Sequence, residues 1–427
     1  MAVMSLTVKP VFWEDFLLNY PFLAAVLTQH SANVINADQC RFVVFSDECP
    51  FQCAVGMSHR MGVVSGRGKE SGEALFSCVM EAIERESSCY RGNESVCRLN
   101  SFPAANVVWP DELNLVSARQ WASMASWNQR VEAPHRLPDR VARNPDIDWL
   151  AAKSVVSGDT VLVPAPFVLL RHPAATAAGL AMPDSSGCAA GASLEDAAIR
   201  AFLELVERDA VSIWWYNRLV RPEIDPRLLD DILIEQMMAW SRARNRPVSL
   251  LDLTHDFGIP VVAAIAADAD GRAPSFGFAA SATYTAAARS ALGELLQFEI
   301  SQQLRRTRDL TAVPLHWLDW AWIADCHAER HLMPDGKVSA AALQAKQMDS
   351  LDLSSCAGRC RELGLDLLMV DLTREEIGIP VVRVIVPGLR SLWPRFAEGR
   401  LYQVPHALGW VPQPLQEEAL NPVPILY

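Results

Sequence analysis

Three short acidic patterns could do chemistry in this chain: Glu81-Ala-Ile-Glu84, Glu204-Leu-Val-Glu207 and Glu294-Leu-Leu-Gln297. An i, i+3 spacing puts both side chains on one side of a helix. Ser77 falls on the stripe of the first pattern, one turn earlier. On a single helix such a stripe is most simply a solvated face with Glu–Arg pairing. The neighbouring residues argue against that. Leu75, Phe76, Cys78, Val79, Met80, Ala82 and Ile83 make the first helix apolar almost all round, as do Ala201, Phe202, Leu203, Leu205 and Val206 on the second. Helices apolar all round are buried, and a buried Glu must be paired or bind a cation. If the three helices converge, their carboxylates repel one another unless metal neutralises them. Oxygen-only ligands suit Mg2+ or Ca2+ rather than zinc, and Mg2+ commonly arrives with substrate phosphates. The residues predict a Mg2+–phosphate site.

Two glycine-containing segments lead into these helices. Ser65-Gly-Arg67-Gly-Lys69-Glu70-Ser71 reads as a loop offering backbone N–H groups, two cations and a following helix N-terminus, which is what a phosphate needs. It is not a Walker A loop, because Val63 stands where the first Gly belongs and Glu70 follows Lys69. Asp184-Ser-Ser-Gly-Cys-Ala-Ala-Gly191 feeds the second helix, with Ser193 and Asp196 spaced as a capping box.

The elements that must position these residues are long helical patterns at about 71–91, 193–217 and 285–304, alternating with short β-rich runs such as Thr160–Leu170 and Pro260–Ala266. Residues 101–150 read as loop with short elements. The fold class is α/β or α+β, with mixed sheets and long helices carrying the acidic motifs. Asp252-Leu-Thr254 with Gly258-Ile-Pro-Val-Val262 matches Asp371-Leu-Thr373 with Gly378-Ile-Pro-Val-Val382, and each copy reads as strand, turn and strand. With the repeated acidic helices, this predicts an internally duplicated unit.

The 427 residues are half hydrophobic and carry a net charge of −12, which excludes a general nucleic-acid binder working from a basic surface. The ten cysteines do not make a disulfide framework, no secretion signal is evident, and no apolar run approaches the ~20 residues of a membrane span. A cytoplasmic protein is expected. Cys49/Cys53, Cys356/Cys360 and His327/His331 have the i, i+4 spacing of metal ligands on a helix, but structural cysteines are the simpler reading.

At these residues the sequence resembles the YcaO family of ATP-dependent peptide-backbone-modifying enzymes, over roughly 60–427. The resemblance runs through Gly66-Arg-Gly-Lys-Glu to Glu81-Ala-Ile-Glu-Arg85, then Ser185-Ser-Gly-Cys-Ala-Ala-Gly191 to Glu204-Leu-Val-Glu-Arg-Asp-Ala210. Trp214-Trp-Tyr-Asn-Arg-Leu219, Glu294-Leu-Leu-Gln297, Val386-Pro-Gly-Leu389 and Gly399-Arg-Leu-Tyr-Gln-Val-Pro405 follow in family order. The wording is most similar to azoline-forming cyclodehydratases, including cyanobactin heterocyclases, and to their stand-alone D protein. The resemblance implies a YcaO fold, with Glu81, Glu84, Glu204, Glu207 and Glu294 holding Mg2+. Arg67, Lys69, Ser77, Ser186, Arg208 and Gln297 would support ATP. It implies conversion of Cys, Ser or Thr of a ribosomal precursor peptide to thiazoline or oxazoline. Implied partners are a leader-binding E1-like subunit and an FMN-dependent dehydrogenase that oxidises the products, and a homodimer is allowed. The same ATP site could serve thioamide or macroamidine formation, or sit in a non-catalytic subunit.

Four positions depart from the family pattern. Arg67 replaces a Lys, Glu70 a Thr or Ser, and Ser186 an Asn. The tail Asn421-Pro422-Val-Pro424-Ile-Leu426-Tyr427 keeps two prolines of a Pro-x-Pro-x-Pro ending and lacks the third. The resemblance gives Pro422 and Pro424 a role at the active site, within a catalytic domain at 61–427. Residues 1–60 are then expected to dock the partner subunit.

Overall fold

The computed structural model describes residues 7–11, 34–35, 40–44, 49–58, 60, 62–99, 102–131, 135–138, 147–177, 184–307, 324–345 and 350–425. Among these residues, three sheets are built from twelve strands. β1 (Thr7–Pro10), β2 (Arg41–Val44), β3 (Gln52–Ser58) and β4 (Gly62–Gly68) form the first, in that order. β5 (Trp149–Ser154), β6 (Thr160–Pro164), β7 (Cys188–Ala190), β11 (Leu368–Asp371) and β12 (Val381–Ile385) form the second, ordered β6-β5-β11-β12-β7. β8 (Val248–Asp252), β9 (Val261–Ala266) and β10 (Ser275–Ala280) form the third, ordered β10-β9-β8. Neighbouring strands within the described sheets are antiparallel, so of the two expected classes the fold is α+β. The 60/61 boundary falls between β3 and β4, which pair in one sheet.

The principal helices are α1 (Ser71–Ser88), α2 (Leu194–Tyr216), α3 (Ile232–Ala243), α4 (Tyr284–Thr307), α5 (Leu353–Glu362) and α6 (Arg400–Ala407). α1 packs on β3 and β4 and also on β7 and β12. α2 packs on β7 and β12 and also on β9 and β10. α4 covers β9 and β10 and reaches β4. Helices and sheets thus alternate in a closed ring, and α1 and α2 are each pressed between two sheets. This is why they are apolar almost all round. Leu75, Cys78, Val79, Ala82 and Ile83 of α1 are fully buried, as are Ala201, Phe202 and Val206 of α2.

Each acidic helix is entered from a strand: β4 into α1, β7 into α2 and β10 into α4. The segment 65–68, expected as a loop, is the end of β4. Its glycines serve close packing. A Cβ on Gly66 would lie 2.1 Å from the Cys78 N and 2.2 Å from the Ala74 O, so the strand lies directly on a backbone hydrogen bond of α1. Gly277 of β10 sits the same way on α4, 2.1 Å from the Ala291 O and 2.3 Å from the Leu295 N. At α2, Ser193 accepts the Asp196 N–H at 3.1 Å, but Asp196 returns its bond to the Ala192 N–H at 3.0 Å. Half of the expected capping box is therefore formed.

The two Asp-Leu-Thr…Gly-Ile-Pro-Val-Val stretches form hairpins with the same local bonds. Asp252 and Asp371 each accept the N–H of the Thr two residues on, at 2.9 Å. Thr254 and Thr373 accept the Val261 and Val381 N–H at 3.1 and 3.2 Å. The strand feeding the acidic helix, β10 or β7, lies beside the second strand of each hairpin. The likeness is one of local geometry within sheets of different size. β6 ends at Pro164, and residues 165–168 turn into a short helix, so the expected strand to Leu170 is shorter. Short helices occupy 104–130 as expected.

Cys53, Cys356 and Cys360 are core residues, and burial pushes their thiols up to about 12. His327 and His331 do not share a helix. His331 is buried against Trp214 and Trp215, with ring centroids 5.6 and 5.2 Å away. No described helix is long and apolar enough to cross a membrane.

Gly66→Ala and Gly277→Ala should each cost about 3 kcal/mol, because the added methyl meets helix backbone that cannot yield. Urea denaturation reads this as a lower midpoint at unchanged slope. Wild-type midpoints would contradict the packing role of these glycines.

Candidate functional site

The three acidic helices meet at an open cleft of about 600 Å³, whose wall includes Glu81, Glu84, Glu204, Glu294, Arg67, Arg208 and Gln297. One arrangement recurs on each helix. Glu81 Oε2 accepts the Ser65 N–H at 2.8 Å, Glu204 Oε2 the Gly187 N–H at 2.9 Å, and Glu294 Oε2 the Phe278 N–H at 2.8 Å. Every donor belongs to the strand or turn leading into that helix. The second oxygen faces an arginine: Glu81 Oε1 takes Arg85 at 2.7 Å, Glu204 Oε1 takes Arg208 at 3.2 Å, and Glu294 Oε1 lies 3.7 Å from Arg67. A carboxylate held by a fixed amide and a guanidinium is oriented.

The residues at the i+3 positions are held differently. Glu84 makes no side-chain hydrogen bond among the described residues. Burial pushes its carboxyl well above the usual range, and Glu204 and Glu81 push the same way. Glu207 stands behind the cleft wall with its Oε1 3.6 Å from Arg208 and no hydrogen bond to that oxygen. Burial raises its pKa well above the ordinary value against the pull of Arg208. Glu294 is also raised, first by burial, with Arg67 and Arg208 opposing. Arg208 stays a cation: burial works against its charge, but Glu207, Glu204 and Glu294 outweigh it. Gln297, the amide of the third pattern, accepts from Arg67 at 3.0 Å and donates to Ser65 Oγ at 2.5 Å, which joins α4 to β4.

A second cavity of about 470 Å³ adjoins the first and shares Ser65, Arg67, Glu81 and Gln297 with it. Lys69 and Ser77 line this cavity and not the cleft, together with Arg289 and Ser290. Ser186 lines the cleft, and its N–H is held by Asp184 at 3.0 Å. Pro422 and Pro424 do not line it, but Ile425 does. The tail is packed on the end of α2, with Trp215 donating to the Val423 O at 2.7 Å and Asn421 to the Tyr216 O at 2.7 Å. Leu426 lies outside the described residues.

Five glutamates are crowded beside Arg85, Arg208 and Arg67, and three of the five, Glu84, Glu207 and Glu294, carry an oxygen without a hydrogen bond among the described residues. Both facts fit a divalent cation. The glutamate oxygens do not converge on one point. Among the described residues, the set of three metal-capable side chains within 4.8 Å of one another is Asp209, His255 and Asp256. Arg400 already fills that place, binding Asp209 and Asp256 at 2.7 Å each. Sequence reasoning missed Arg85, Asp184, His135, Leu392 and Trp393. Arg85 had a signal, four residues after Glu81 as Arg208 is after Glu204. The others come from segments with no periodic pattern.

Residues 65–390 match the family model described as YcaO cyclodehydratase, ATP- and Mg2+-binding. The chain is 31% identical over 338 residues to an uncharacterised protein of Methanothermobacter thermautotrophicus, covering 77% of this chain and 82% of that one. Its structure is similar to that of a heterocyclase solved in complex with substrate and cofactor, at a TM-score of 0.83 and 29% identity over 94% of this chain and 57% of the other. The heterocyclase TruD matches at a TM-score of 0.73 and 32% identity, over 82% of this chain and 50% of that one. The chain therefore spans about half the length of these two heterocyclases.

The bonded and unbonded glutamates should respond oppositely to neutralisation. With no divalent cation present, Glu84→Gln should melt at or above the wild-type temperature, because it removes a crowded charge. Glu204→Gln should melt lower, because it weakens the bonds to Gly187 and Arg208. Differential scanning calorimetry in EDTA reads both, and a lower melting temperature for Glu84→Gln would contradict the electrostatics.

Proposed function

The chain belongs to the YcaO family of ATP- and Mg2+-binding cyclodehydratases, and on that premise we propose that it cyclises Cys, Ser or Thr residues of a ribosomally made precursor peptide to azolines. The observation that carries the proposal is the cleft: three helices presenting backbone-anchored carboxylates to one space, with arginines on their outer oxygens. Glu81, Glu84, Glu204, Glu207 and Glu294 are the Mg2+ ligands and second-line charges of this reading. Arg67, Lys69 and Arg208 supply positive charge for the nucleotide, and Ser77, Ser186 and Gln297 supply hydrogen bonds.

In such a reaction the nucleophile is the peptide's own side chain, attacking the preceding backbone carbonyl. ATP supplies the phosphoryl group that carries the amide oxygen away as phosphate. The chain's residues position and neutralise, as in other phosphoryl transfers. Arg67 sits on the wall shared by the two cavities, bonded to Gln297 and facing Glu294, so its charge is fixed between them. This fits the use of Arg where relatives carry Lys, because a planar guanidinium bridges two acceptors. The core cysteines need no catalytic role. In this reading a leader-binding E1-like subunit presents the precursor, with residues 1–60 as its docking segment, and an FMN-dependent dehydrogenase can oxidise the products. The tail with Pro422 and Pro424 places Ile425 at the cleft.

The test is mass spectrometry of the precursor encoded beside this gene, after incubation with the chain, its partner, ATP and Mg2+. The expected result is loss of one water per modified residue, with those thiols or hydroxyls consumed. Glu204→Gln should slow this by about a hundredfold or more. Turnover at the wild-type rate in that variant would overturn the site, and an unmodified precursor would overturn the reaction.

A further inference from the structure

Part of the cleft wall is neither acidic nor basic. Leu392, Trp393 and Ile425 line it, and they come from two segments without regular secondary structure that are nonetheless tightly held. Ser212 donates to the Ser391 O at 2.5 Å and Tyr216 to the Leu392 O at 2.6 Å. Gln120 donates to the Pro394 O at 2.9 Å and accepts the Phe396 N–H at 2.9 Å. The His135 ring stands edge-on to Trp393, with centroids 5.3 Å apart. Ile425 is 2% exposed, and its strand of tail is fixed to α2 through Trp215. An apolar surface pinned this way is organised before anything binds, which lowers the cost of ordering a ligand on it.

Its place along α2 indicates what it meets. Ser212 and Tyr216, which hold it, lie eight and twelve residues after Glu204, or about 12 and 18 Å further along the helix axis. An extended peptide covers that distance in about four or five residues. The cations of the second cavity, Lys69 and Arg289, are not part of this wall, and burial together with Arg395 lowers the His135 pKa to about 4, so its ring is neutral. The cleft's own cations, Arg67, Arg85 and Arg208, face its glutamates, so Leu392, Trp393 and Ile425 themselves present no charge to a phosphate.

We infer that Trp393 and Leu392, backed by the buried Ile425, are specificity residues that seat an apolar side chain of the peptide, about four or five residues from the one being cyclised. The inference rests on the proposed peptide substrate and adds its sequence preference. Apolar residues at that distance are favoured and acidic ones rejected, because a carboxylate would be desolvated on the wall without a partner.

The test compares the neighbouring precursor with versions carrying Leu, Phe or Glu at each position three to six residues either side of a modified one. Each is assayed with wild type, Trp393→Ala and Trp393→Phe, and KM for ATP is measured alongside. The wild type should prefer Leu or Phe to Glu by about tenfold or more in kcat/KM at one of these positions. Trp393→Ala should erase the preference, Trp393→Phe should retain it, and KM for ATP should stay constant. A raised KM for ATP in Trp393→Ala with the peptide preference intact would overturn the inference and make the wall a nucleobase seat. Equal use of all peptides by the wild type would also overturn it. If the wild type turns over no precursor, the proposed function fails and the wall is still tested. Fluorescein-labelled nonapeptides, each with one Cys and a Leu, Phe or Glu four residues away, then report binding by anisotropy. Tighter binding of Leu and Phe that is lost in Trp393→Ala supports the wall, and equal binding overturns it.

Discussion

Glu81, Glu204 and Glu294 each divide their two oxygens between a backbone N–H of the preceding segment and an arginine. Much of the molecule follows from that arrangement. A backbone amide can reach a helical carboxylate only if strand and helix lie in near contact, so β4 and β10 carry Gly66 and Gly277 where any side chain would strike helix backbone. Three such units bring their carboxylates into one space only if the helices converge. Alternation of helices and sheets in a ring brings this about, and it buries α1 and α2 on two sides.

The arginines change the charge problem posed by the glutamates alone. Metal need not neutralise the whole set, because Arg85, Arg208 and Arg67 each answer one anchored carboxylate. Glu84 and Glu207 remain crowded and incompletely bonded. These two carboxylates are the ones that a divalent cation arriving with its nucleotide would relieve. α2 joins this end to the tail: Glu204 and Arg208 lie on one stretch, and Tyr216 and Trp215 fasten the wall and the C-terminal segment on another. On the proposed reading, the chemistry and the peptide contact share this one helix.

The acidic triplets, their burial and the order of their helices were legible because a 3.6-residue period and an apolar surround are local properties of the sequence. So were the twin hairpins, where Asp and Thr recur two residues apart ahead of a Gly-Ile-Pro-Val-Val run. The glycines of 65–68 were visible, but the segment read as a loop and is the end of β4, and only packing shows that Gly66 lies directly on a helix. The arginines of the site were half legible, since Arg85 and Arg208 sit four residues from their glutamates while the pairing of Arg67 with Glu294 spans the fold. Leu392, Trp393 and His135 could not be read, because irregular segments have no period and are placed by long-range bonds such as Tyr216 to Leu392. The tail, which would pass for a loose terminus on composition, is held by Trp215 and Asn421.

The central claim is that the anchored glutamates exist to hold divalent cations with a nucleotide. A crystal structure of the chain grown with Mn2+ in place of Mg2+ and a non-hydrolysable ATP analogue tests it most directly, through anomalous scattering at the manganese edge. Mn2+ peaks are expected within coordination distance of oxygens of Glu81, Glu84, Glu204, Glu207 or Glu294. The analogue's phosphates should lie against Arg67 and Lys69. Manganese bound only outside the cleft, for instance at Asp209 and Asp256, or an analogue bound with the glutamates still closed on their arginines and no metal between, would contradict it.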